Sequence, residues 1–120
     1  MLIAYDGTDF HGWQVQPDEV RTVEGELTRA LAQILDRPVD EVKIQGSSRT
    51  DSGVHALGQV AHFDHDADRD LWDFSRGLNA LTGDDVTVAY VCEAPDFHAR
   101  HDSSGKIYRY RFWVHRFVHP

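Results

Sequence analysis

Cysteine occurs once in this sequence, at Cys92, so no intrachain disulfide can staple the chain and no thiolate pair can grip a metal. A lone thiol fits a reduced, cytosolic compartment. Lysine is nearly as scarce, occurring only at Lys43 and Lys106. No apolar run approaches the ~20 residues needed to span a bilayer, so no membrane segment is expected. Met1–Ala4 runs straight into Tyr5-Asp6-Gly7, which does not read as a secretory signal. Internal repeats and low-complexity tracts are absent as well, and the length suits one domain with an ordinary apolar core.

The charge balance is uneven. Twenty acidic residues face twelve basic ones, for a formal net charge of −8. As a total, this argues against a nucleic-acid partner. The distribution argues otherwise. From His98 onward the basic residues are Arg100, Lys106, Arg109, Arg111 and Arg116, opposed by Asp102 alone, while acids crowd Asp64–Asp73. Basic side chains interleaved with aromatics are typical of surfaces that bind single-stranded nucleic acid. Aspartate greatly outnumbers glutamate, and with so little lysine the composition predicts a protein adapted to high salt. The plainer reading is an acidic surface kept soluble by its net charge. In high salt, long-range attraction to RNA is screened, and contacts by fit and stacking carry more of the binding.

Apolar spacing gives the elements. Met1–Tyr5 reads as a strand ended by Asp6-Gly7. Val23, Leu27, Ala30, Leu31, Ile34 and Leu35 recur at helical spacing over Val23–Leu35. Thr22 is placed to cap that helix, and Glu24 and Glu26 suit its first turn. Gly25 weakens it unless something packs closely there. After Pro38, the alternation of Val42 and Ile44 with Lys43 and Gln45 predicts a strand. Gly46–Val54 must be a loop, and Leu57–Phe63 a strand. Asp70 caps a second helix with Leu71, Phe74, Leu78 and Leu81 on one face, and Val86–Val91 is a buried-looking strand. The order β-α-β-β-α-β predicts an α+β, ferredoxin-like (RRM-like) fold, an antiparallel sheet with two helices on one face. A final strand is expected over Ile107–Val114, where it needs a partner. Tyr110 and Cys92 are expected in the core.

The loop from Gly46 to His55 is where chemistry is expected. It sets Asp51 between Arg49 and Gly53. An arginine two residues away can hold a carboxylate ionised and oriented, and glycine lets the backbone turn sharply. Such a carboxylate can serve as nucleophile, general base or metal ligand. On residue types alone, a structural turn in which Asp51 caps backbone N–H groups and Arg49 is a surface partner is the better explanation of the tripeptide, since Asp favours turns. No metal is expected. The best histidine cluster, His62 and His65 with Asp64 and Asp66, reads as a solvated strand end, and Cys92 stands alone.

Longer stretches narrow the choice. Ser48-Arg49-Thr50-Asp51-Ser52-Gly53-Val54-His55-Ala56-Leu57-Gly58-Gln59-Val60 resembles the signature of the TruA-type tRNA pseudouridine synthases. Tyr5-Asp6-Gly7-Thr8 with Gly12-Trp13-Gln14 resembles the opening of that family, and Thr22-Val23-Glu24-Gly25-Glu26-Leu27 its first helix. Phe97-His98-Ala99-Arg100, followed by Tyr108-Arg109-Tyr110, resembles a later motif. Departures are confined to Ser48, where many bacterial members have glycine, and Ser52, where alanine is common.

The resemblance implies an isomerase that converts uridine to pseudouridine in the anticodon arm of tRNA, without metal or cofactor. Asp51 then corresponds to the catalytic aspartate, Arg49 to an arginine beside it, and Tyr108 to a tyrosine that packs on the target base. Arg100, Lys106, Arg109 and Arg111 are the expected RNA contacts. The resemblance further implies a homodimer and a second half of the protein that closes the pocket. The sequence therefore reads as an N-terminal half (residues 1–120) that lacks full activity alone. The alternative is a non-catalytic ferredoxin-like RNA-binding or interaction module, in which Asp51 is structural.

Overall fold

A computed structural model describes residues 1–114 and Arg116. Strand β1, Leu2–Tyr5, turns Ile3 and Tyr5 into the core by the two-residue alternation of a pleated strand. Helix α1, Val23–Leu35, has the predicted boundaries. The Thr22 hydroxyl accepts from Gly25 N, satisfying one of the free donors of the first turn. A Cβ at Gly25 would sit 2.8 Å from that hydroxyl, which accounts for glycine inside a helix. The helix ends on Asp36 in the left-handed region (φ 52°).

A 3-10 turn, Val39–Glu41, follows, and the next strand is shorter than its alternation suggests. Only Gln45–Gly46 (β2) pairs in the sheet, although Val42 and Ile44 are buried as expected. Strand β3 is Ala56–His62, helix α2 is Leu71–Leu81 capped by Asp70, and β4 is Val86–Tyr90. The strands lie in the order β2-β3-β1-β4, every pair antiparallel. This is the split βαβ sheet of the expected α+β class.

Leu27 and Leu31 of α1, Phe74 and Leu78 of α2, and Ile3, Ala61, Val86 and Val88 of the sheet form one buried cluster. The opposite sheet face is different. There Leu2 lies beside Val60 and Tyr90, and Tyr90 is 60% exposed. Near His62, the segment 97–102 docks onto the end of β3. Ala99 N donates to His62 Nδ1 at 3.0 Å, the Phe97 ring meets His62 edge-on, and Ala99 is fully buried.

Three expectations are corrected. Ile107–Val114 forms no strand with the described residues, although β2 and β4 each keep an unpaired edge. Tyr110 is accordingly 78% exposed and stacks on Phe112, rather than lying in a core. Cys92 is exposed, since it lies beyond β4, whose inward alternation is already lost at Tyr90.

Candidate active site

The antiparallel order brings three chain segments to one end of the sheet. Strand β1 ends there, β3 and β4 begin there, and Asp6 N donates to Asp85 O across the gap. The loop before β3, residues 47–55, therefore lies against the loop after β1, residues 6–14. The two are joined by hydrogen bonds along most of their length. Trp13 N donates to Thr50 O at 3.0 Å, Gly53 N to Phe10 O at 3.2 Å, and Gly7 N to His55 Nδ1 at 3.0 Å. The Ser52 hydroxyl also donates to Phe10 O, at 3.2 Å.

Glycine is required where the two loops touch. A Cβ on Gly7 would fall 2.0 Å from Val54 O, and one on Gly12 2.7 Å from Thr50 O. At the near end of the loop, a Cβ on Gly46 would meet the Trp13 indole at 2.7 Å. Gly53 takes a φ of 81°, the left-handed region that closes the turn in which Val54 N donates to Asp51 O.

Two buried side chains hold the loop from below. The Tyr5 hydroxyl shares a 2.7 Å hydrogen bond with the Thr50 hydroxyl, one residue from Asp51. Burial raises the Tyr5 phenol above its usual pKa, and the Thr50 bond opposes this in part. From β3, Gln59 accepts from the Ser47 hydroxyl at 2.9 Å and donates to Ser48 O at 2.7 Å. No buried side-chain polar atom among the described residues lacks a partner.

Arg49 and Asp51 are the exceptions in this framework. Both are exposed, and among the described residues neither side chain has a hydrogen-bond or ion-pair partner. The expected Arg49–Asp51 pair is thus not formed, because the loop presents both groups to solvent. Asp51 is equally not the structural cap of a turn, since its carboxylate receives no backbone N–H. Its backbone is fixed while its carboxylate stays available, the arrangement a nucleophile or general base needs.

A cationic clamp supports the 6–14 loop from the other side. Arg21 makes two bonds to Asp85, at 2.6 and 2.8 Å, and donates through Nε to Glu26 at 2.9 Å. Its guanidinium carbon lies 4.1 Å from the Phe10 ring centroid. The second Glu26 oxygen accepts from Gly83 N at 2.6 Å. The bonds to Asp85, then the charge of Glu26, hold the Arg21 pKa above its usual value, and Arg21 in turn lowers that of Asp85.

The other expected site residues are not gathered around Asp51. Arg100 is exposed on the docked segment 97–102, next to His98, whose Nδ1 accepts from Arg100 N and His101 N. Lys106, Tyr108, Arg109 and Arg111 lie on the exposed segment after Ser104, and Tyr108 is 61% exposed. No hydrogen bond, ion pair or ring contact ties Tyr108 to the Asp51 loop. Near the metal candidate, His65 packs on Phe74 at 4.7 Å and Asp66 pairs with Arg37 at 2.6 Å. Among the described residues, no group of three or more His, Cys, Asp or Glu side chains is arranged to hold a metal.

Residues 1–102 match the family model for tRNA pseudouridine synthase. That stretch contains both interlocked loops, the clamp and the docked segment. The chain belongs to the tRNA pseudouridine synthase family. Among its relatives, tRNA pseudouridine synthase A of Maridesulfovibrio salexigens is 48% identical over 115 residues, covering 95% of this chain and 41% of the relative. The enzyme of the same name from Leuconostoc citreum is 44% identical over 124 residues, covering 99% of this chain and 48% of the relative. The chain thus spans less than half the length of these relatives. The family match covers Asp51 and its framework but stops before Tyr108, Arg109 and Arg111.

Sequence reasoning missed Tyr5, Phe10, Arg21 and Gln59 as parts of this site. Ile3–Tyr5 alternation marks Tyr5 as a buried strand residue and gives no hint that its hydroxyl reaches Thr50. Gln59 does carry a signal: a polar residue at an inward position of β3 must find partners.

Proposed function

We propose that this chain supplies the nucleophile-bearing half of an isomerase that converts uridine to pseudouridine in tRNA, with Asp51 as the nucleophile. The observation that carries this is a solvent-facing Asp51 carboxylate, unpaired among the described residues, on a loop otherwise bonded to the core, in a member of the tRNA pseudouridine synthase family. The target uridine leaves its stack to reach the carboxylate. Asp51 attacks either C1′ of the ribose or C6 of the base. The N1–C1′ bond breaks, the uracil turns, a C5–C1′ bond forms, and the bond to Asp51 breaks, which regenerates the carboxylate. C5 then loses its proton and N1 gains one, so atoms balance without oxidant, metal or cofactor.

Arg49, close to Asp51 in sequence and exposed, orients the extruded nucleotide. Tyr108 stacks on the loosened base, and Arg100, Lys106, Arg109 and Arg111 hold phosphates of the anticodon arm. Bringing the exposed segment 106–111 over Asp51 requires surface that this chain does not itself provide. The second half of the protein, in a homodimer, supplies it. The cytoplasm is the compartment where tRNA substrate and a lone reduced cysteine coincide. Aspartate-rich, lysine-poor composition suits a high-salt cell.

The test is pseudouridine formation on unmodified tRNA in high salt, using this chain and the full-length protein. The expected result is turnover by the full-length protein, little or none by this chain, and loss of turnover with retained tRNA binding in Asp51→Ala. Multiple turnover by the 120-residue chain would refute the need for a second half. Folded full-length protein that binds tRNA but leaves every uridine unchanged would favour the RNA-binding module.

A further inference from the structure

We infer that Arg21 is a positioning residue that sets the Asp51 loop through Phe10. The inference rests on the proposed role of Asp51 for its functional consequence and on the clamp geometry for its structural one.

Most Arg21 donors are already engaged within the protein. Nη1 and Nη2 are taken by Asp85, Nε and Nη2 by Glu26, and the plane of the group lies against Phe10. Two carboxylates outnumber it, so the clamp presents no net positive charge to a phosphate. Its partners come from three separate places: the start of β4, the first turn of α1, and the loop after β1. Phe10 is 2% exposed, and its carbonyl is the shared acceptor of Gly53 N and the Ser52 hydroxyl. Arg21 O also accepts from His11 N at 2.8 Å. Arg21 therefore fixes residues 10 and 11, residue 10 fixes residues 52 and 53, and Asp51 precedes them directly.

A purely structural role explains less. The Arg21 side chain is 37% exposed, which weakens each ion pair, although the bidentate geometry and shared network keep part of its stabilisation. Bidentate pairing combined with stacking on a ring instead fixes orientation, which lysine, a compact point charge, does not reproduce. The loss on substitution is expected in the placement of Asp51 more than in folding.

The experiment compares Arg21→Met, Arg21→Lys, Phe10→Leu and the Arg21→Met/Phe10→Leu double variant in the full-length protein. Release of tritium from C5-labelled uridine in tRNA gives kcat and KM, and amide hydrogen exchange reports residues 50–54. The expected result for Arg21→Met is a fall in kcat of about tenfold to a hundredfold, as for a misplaced reacting group, with KM little changed. Exchange at Gly53 should accelerate, lysine should rescue only in part, and the double variant should be no worse than the poorer single one. If Arg21→Met fails to fold, Asp85→Asn opens the same clamp and should give the same kcat and exchange pattern. Unchanged kcat together with unchanged Gly53 exchange would overturn the inference, as would a raised KM at constant kcat. Turnover surviving in Asp51→Asn would defeat the nucleophile assignment instead, and Gly53 exchange alone would then decide the role of Arg21.

Discussion

Gly7→Ala offers a graded test of the interlocked loops. The added Cβ would lie 2.0 Å from Val54 O and 2.5 Å from Val54 C, both backbone atoms that cannot swing aside. Ordinary van der Waals contact begins near 3.4 Å, so relief requires the loops to part by about 1.4 Å. Val54 N is bonded to Asp51 O, so that displacement passes directly to Asp51. Overpacking of this kind costs about 1–3 kcal/mol, which a folded domain can survive. A nucleophile misplaced by about 1 Å costs roughly a hundredfold in rate. Gly7→Ala should therefore lower kcat in the full-length protein by roughly a hundredfold, while thermal denaturation still shows a cooperative transition and tRNA binding is kept. The assay is C5 tritium release at saturating tRNA, below the variant's melting temperature. A kcat within threefold of wild type would refute the reasoning, because the loops would then separate without moving Asp51.

Two further predictions follow from groups around this loop. Gln59→Leu leaves the Ser47 hydroxyl and the Ser48 carbonyl without their partner, and a buried polar group left unpaired costs about 1–3 kcal/mol. Chemical denaturation should show a loss of that order with m unchanged, whereas an unchanged midpoint would mean the loop is not held from β3. His98 bears on acid stability. Burial first, then the neighbouring His101 and His62, lowers its pKa below the ordinary 6.5, while Asp102 opposes them. The unfolded chain therefore takes up the proton first as pH falls. Its contribution to stability is complete above pH 6.5 and fades between there and the lowered folded value. His98→Asn, which retains an acceptor for the Arg100 and His101 N–H groups, should flatten the fall in melting temperature over that window. An unchanged pH profile would assign the acid sensitivity to other groups.

The elements most legible in sequence are those fixed by local chemistry. Helix α1 follows from a threonine cap and apolar spacing, and α2 from the Asp70 cap, since both signals lie within a few residues. The loop before β3 is equally legible from its glycine, serine and aspartate content, except that Gly46, expected in it, pairs in β2. Pairing is not local. Ile107–Val114 alternates like a strand, yet alternation specifies only a face and not a pairing partner. Val42 and Ile44 are buried as their spacing suggests, but the 3-10 turn before them leaves only Gln45–Gly46 in the ladder. Asp51 and Arg49 stood out through their motif. The residues that hold their loop did not, because Tyr5 reaches Thr50 across 45 positions and Arg21 reaches Asp85 across 64.

The central claim is that the Asp51 carboxylate reacts while its loop needs nothing from it. Asp51→Asn tests this most directly, because the amide keeps the shape and, among the described residues, the carboxylate makes no bond whose loss would disturb the loop. Single-turnover pseudouridine formation by the full-length variant should fall by more than about 10⁴-fold, with tRNA affinity and melting temperature unchanged. A variant that retained a tenth or more of wild-type turnover would contradict the account.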